Sequence, residues 1–149
     1  MKKSLNTNVS TNRIIVVGLL IGFLLNITGW LGNNFLLKSL WIEVGNTLPN
    51  VEWRNNTWRH IFSLIPDFVY GLAIAWLCRF LNTSSSSRFL NSLKSGIFVS
   101  LIGGITTYFA IANSGFIPWK LAILSFGLVL ITKLPLAILA GIMINAKKY

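Results

Sequence analysis

Four long apolar stretches dominate this chain: residues 14–31, 61–80, 95–112 and 119–145. A helix needs roughly 17–25 mostly apolar residues to cross a bilayer core, and each stretch meets that length. Four such segments in 149 residues are the pattern of an integral membrane protein. Composition agrees. Hydrophobic residues make up 54% of the chain and charged residues 11%, against about a quarter charged in an ordinary soluble domain. The expected fold class is therefore an all-α integral membrane protein, a four-transmembrane-helix bundle forming a single membrane domain over residues 1–149.

Net charge sharpens the reading. The formal charge is +10, which in a soluble protein would suggest nucleic acid. Here the cations flank apolar runs, so no nucleic-acid partner is expected and the lipid bilayer is. Lys2, Lys3 and Arg13 precede the first span. Arg79, Arg88 and Lys94 surround the connection at 81–94, and Lys147 and Lys148 lie in the C-terminal tail. None of these segments carries an acid, whereas the other two connections hold Lys38, Arg54, Arg59 and Lys120 together with Glu43 and Glu52. The positive-inside rule then puts both termini and the 81–94 loop in the cytoplasm, N-in and C-in. The first span resembles a signal peptide in its basic start, but no A-x-A-like cleavage site follows, so a retained helix is expected.

Tryptophan favours the membrane interface. Trp30, Trp41, Trp53, Trp58 and Trp119 fall on the expected outer side and Trp76 toward the inner end. The outer connection should therefore rest partly in the interface, with FLLKSLW at 35–41 as either a short interfacial helix or a plain loop. Residues 1–12 read as a flexible tail, and NTSSSS at 82–87 as a flexible connector.

Helical periodicity marks one small or polar face on each span. The first has Gly18, Gly22, Asn26, Gly29 and Asn33. The second has Asp67, Tyr70, Gly71, Ala75 and Cys78, with Phe62, Val69, Leu72, Trp76 and Phe80 largely opposite. The third has Gly96, Ser100, Gly104 and Thr107, and the fourth Lys133, Ala137, Ala140 and Gly141. Small residues at this spacing let membrane helices pack closely.

Charges inside spans are costly and usually face protein or water. Counted at ~1.5 Å per residue, Asn26, Asp67 and Thr107 all fall ~8–9 Å from the outer ends of their spans. Lys133 lies ~18 Å deep, but its stem leans toward the start of its helix, hence outward. Asn26, Asp67, Thr107 and Lys133 should then form one polar layer, with Asp67 and Lys133 paired directly or through water. Three simpler readings stand beside this. Pro66-Asp67 suits the first turn of a helix. Lys133 could snorkel, or bond the carbonyl freed by Pro135, where a kink is expected. Or the pair only holds the helices in register.

Catalytic sets are missing. The chain has three acids and one histidine. His60 has no companion ligands, no serine has a base at recognisable spacing, and Gly103-Gly104 reads as packing. No catalytic residue, cofactor or metal is expected. Cys78 reads as a buried small hydrophobe.

In size and layout, and in the span PDFVYGLAIAWLCRF at 66–80, the chain resembles the small four-span inner-membrane proteins of bacteria, many of them uncharacterised. That resemblance implies a cytoplasmic-membrane location and no particular activity. Small multidrug transporters share the size and are marked by a carboxylate in the first span, where this sequence has Asn26. The departure argues against proton-coupled drug export. Two main readings of function follow, with an intramembrane enzyme as a third that the missing catalytic set disfavours. The leading one is a non-enzymatic structural or assembly component, packing with itself as a homo-oligomer or with a larger membrane complex. The alternative is a small oligomeric transporter or channel that uses Asp67 and Lys133 in an outward-facing polar path.

Overall fold

The structure, a computed structural model, describes residues 10–47, 57–81 and 87–145. Five helices account for nearly all of these: α1 (Thr11–Phe35), α2 (Lys38–Thr47), α3 (Thr57–Leu81), α4 (Arg88–Asn113) and α5 (Trp119–Asn145). Four of them, all but α2, are long and apolar enough to cross a membrane. No strand occurs among the described residues.

Several boundaries differ from the sequence expectation. Ser10 caps α1, so Thr11 and Asn12 are helical and not part of a tail. The rest of that tail, the connector at 82–86, the C-terminal lysines, and Glu52, Trp53 and Arg54 lie outside the described residues, as do the side chains of Trp58, Arg59 and His60. The short helix of the first connection starts at Lys38 and runs to Thr47, later than 35–41, because α1 itself continues through Phe35. Helix α4 begins at Arg88, ahead of the apolar stretch, so Arg88 and Lys94 stand on a helix and not in a loop. Pro66 and Asp67 lie inside α3, well past its first turn, which removes the helix-start explanation for Asp67.

Glycine sets the packing. In α1, Gly18 and Gly22 lie one turn apart, and α3 crosses them closely. A Cβ on Gly18 would come 2.8 Å from the Leu72 Cα, and one on Gly22 would come 2.6 Å from the Phe68 Cα. On α3, a Cβ at Gly71 would strike the Gly18 carbonyl oxygen and the Gly22 backbone. The paired positions show α1 and α3 antiparallel, and they place Leu72 at the crossing rather than on an outer face. Helices α4 and α5 form a second antiparallel pair, with Gly96 against Ala137 and Gly141 against Ser92. In a nonpolar solvent, close packing of this kind replaces the hydrophobic drive between helices.

The core residues Ile21, Ile74, Ala75, Cys78, Val99, Ala137 and Ala140 fill the space between the two pairs. At one end, Leu37 and Val44 bring α2 onto Ala112, Ile117, Leu121 and Ala122, over the α4–α5 turn. Gly115 in that turn has φ 78°, a conformation that favours glycine. At the other end, the Arg13 guanidinium donates from Nε and Nη2 to the Met143 carbonyl oxygen, 3.0 Å from Nε. Carbonyls in the last turn of a helix have no partner within it and favour a cation. Arg13→Gln is expected to lower the unfolding free energy by about 1 kcal/mol, as for a partly exposed charge-assisted hydrogen bond; denaturant titration in detergent measures it.

The outward faces are apolar. Phe23, Phe62, Val69, Trp76, Phe98, Ile131 and Ile142 are all more than half exposed.

Candidate functional site

All four long helices contribute to one cavity of about 540 Å³, at the end of the bundle where α1 finishes and α5 begins. Asn26, Asp67, Thr107 and Lys133 all line it. Asn33, Tyr70, Tyr108 and Thr132 join them.

Lys133 is buried, with 4% of its surface exposed. Its ammonium does not meet a carboxylate. Nζ sits over the Tyr70 ring, 3.5 Å from the centroid. Such a contact is worth up to about 2 kcal/mol when desolvated. Tyr70 is wedged in turn. A Cβ on Gly103 would lie 2.9 Å from its hydroxyl, so the missing side chain of Gly103 is the space the phenol occupies.

The direct Asp67–Lys133 ion pair is absent among the described residues; the two charges attract each other across the cavity instead. The reason is depth. Helices α3 and α5 run in the same direction, and Tyr70 lies ~4.5 Å further along α3 than Asp67, at ~1.5 Å per residue. A lysine stem rising from position 133 reaches the tyrosine ring before the carboxylate. Asp67 Oδ2 faces Gly29 of α1, where a Cβ would be 3.9 Å away. No described residue donates a hydrogen bond to the carboxylate.

Asn26 holds α1 to α3. Its Nδ2 donates to the Gly22 carbonyl at 3.0 Å and to the Leu64 carbonyl at 3.2 Å. Near the mouth, Trp41 Nε1 donates to Asn33 Oδ1 at 3.0 Å, tying α2 to the rim. Thr132 Oγ1 donates back to the Leu128 carbonyl at 2.9 Å.

Thr107 and Tyr108 are consecutive, yet both line the cavity. On a regular helix neighbours point about 100° apart. Here α4 contains a π-helical turn at Ile105–Phe109, which widens the spiral locally. No sequence signal marks that turn. Tyr70 and Asn33, by contrast, already stood on the faces of Asp67 and Asn26, and only their roles were missed.

The remaining small residues hold helices together. Gly18, Gly22 and Gly71 form the α1–α3 crossing, and Gly96, Ala137 and Gly141 the α4–α5 contact. Gly104 accommodates the Phe126 ring. Ala75 and Ser100 are buried, and by the register of α4 against α5 Ser100 stands level with Lys133.

No family model matches the chain, and no curated protein or solved structure matches it.

Proposed function

We propose that this chain is a multi-pass integral membrane protein, not an enzyme, that takes a small polar solute into its cavity as a transporter or channel of minimal size. One observation carries the reading: a buried lysine and an aspartate open into the same cavity without touching each other. A pair kept only to set helix register would be packed and hydrogen-bonded, because a loosely satisfied charge in an apolar interior is costly. The cavity volume lies within the ~300–1,000 Å³ usual for small-molecule sites.

Orientation completes the proposal. With both termini in the cytoplasm, as the lysine and arginine distribution favours, the cavity faces the opposite side. Helix α2 then lies in the interface with Trp41 beside the mouth.

Self-assembly is the second reading. The glycine faces that would serve as an oligomer seam are used within the chain, since Gly18, Gly22, Gly71, Gly96 and Gly141 all meet other helices of the same molecule. Their use inside the monomer favours the cavity reading.

Aqueous access is the test. In a Cys78→Ala background, Thr107→Cys and Asn33→Cys are expected to react with an impermeant maleimide added to intact cells. Ser95→Cys, fully buried in the other half of the bundle, is expected to stay unlabelled. Reaction only after the cells are opened would reverse the orientation. Lack of reaction at both cavity positions under either condition would remove the solute path.

A further inference from the structure

The charges in the cavity narrow the solute class. Resting on the solute-binding reading above, we propose that the cavity binds a small zwitterion of the amino-acid type, its ammonium at Asp67 and its carboxylate at Lys133.

Each group lacks the partner such a solute would bring. A carboxylate only accepts hydrogen bonds, and nothing described donates to Asp67. An ammonium carries three donors and no acceptor, and the described partner of Lys133 is the face of a ring, which satisfies charge but is a weak acceptor. The two groups stand beyond ion-pair distance and line the same cavity, so a small molecule inside it can offer a donor to one and an acceptor to the other.

Charge balance selects among solutes. Among the described lining residues the cavity carries one positive and one negative group, and the others are uncharged. A simple cation would satisfy Asp67 and repel Lys133. A simple anion would do the reverse. Both penalties grow wherever the bound molecule displaces water from the two charges. A molecule bearing both charges meets both groups and leaves the site neutral. Asn26 strengthens the Asp67 side: both of its described hydrogen bonds are donated, which leaves Oδ1 as a further acceptor for an ammonium.

A solute series of one skeleton tests this on the full chain in detergent. Ligand binding to the folded state raises the unfolding temperature by mass action. β-Alanine is expected to raise it. Propionate and propylamine, each with one of the two charges, are expected to need concentrations higher by about tenfold or more for the same shift, the ratio that 1.4 kcal/mol represents. Asp67→Asn is expected to erase the advantage of β-alanine over propionate. Equal potency of propionate and β-alanine on the unchanged chain would overturn the proposal, and that comparison needs no variant to fold. So would a lack of any shift when Thr107→Cys is labelled, which would leave the solute path standing. Failure of the labelling overturns both. A phosphoethanolamine headgroup bears the same two charges. Titrations in nanodiscs with and without phosphatidylethanolamine separate the sources, since a headgroup occupant raises the β-alanine concentration required.

Discussion

Gly71→Ala is expected to be the most damaging single-methyl substitution in this protein. The added Cβ has nowhere to go. It would meet the Gly18 carbonyl oxygen and the nitrogen and Cα of Gly22, all backbone atoms that no rotamer change can move. Overpacking against side chains costs typically 1–3 kcal/mol. Here α1 and α3 must separate as bodies, so a loss of about 3 kcal/mol or more is expected. Separation also moves Asp67 away from Gly29 and strains the Asn26 hydrogen bond to Leu64. Denaturant unfolding in mixed micelles measures the effect. Gly127→Ala is the internal comparison, since a Cβ there meets nothing within 4 Å. It should be neutral or slightly stabilising, because alanine is the better helix former. Equal effects at the two positions would show that the close crossing does not govern stability.

That contrast bears on what the amino-acid order reveals. Glycines one turn apart announce a close approach, and Gly18, Gly22 and Gly71 share the faces that carry the polar residues. Neither fact says which glycine meets backbone and which meets a ring. Gly127 and Gly71 look alike in a sequence, and only the neighbouring helix distinguishes them. The cavity was legible to a similar degree. Depth counting brought Asn26, Asp67 and Thr107 to one level, since every span is a helix of known rise, and the outward lean of its stem added the deeper Lys133. What depth counting missed was competition at that level. Tyr70 stands between the aspartate and the lysine along α3, and a ring on the same face as a carboxylate is as near a partner for an ammonium as the carboxylate is. The π-helical turn in α4 was not legible at all, because no residue type or spacing in Ile105–Phe109 distinguishes it from a regular helix.

Lys133→Met separates the two readings of the polar layer by the sign of its effect. If Lys133 were held in a buried ion pair with Asp67, removing it would strand a charge and cost about 3–5 kcal/mol. The observed arrangement predicts otherwise. Methionine forfeits the cation–π contact with Tyr70, worth up to about 2 kcal/mol. It recovers part of that through its own sulfur–ring contact, about 0.3–1.5 kcal/mol. It also relieves the desolvation cost of holding a loosely satisfied cation in an apolar interior. Asp67 keeps its access to the cavity throughout. Stability is therefore expected to change by no more than about 1 kcal/mol, while β-alanine binding weakens by about tenfold or more. The charge swap, Asp67→Lys with Lys133→Asp, supplies the converse. It preserves the two charges but moves the ammonium a turn away from the phenol that supports it, so it is expected to restore neither stability nor binding. A swap that regains both would mean that charge pairing alone defines the layer, and Tyr70 would then be a bystander.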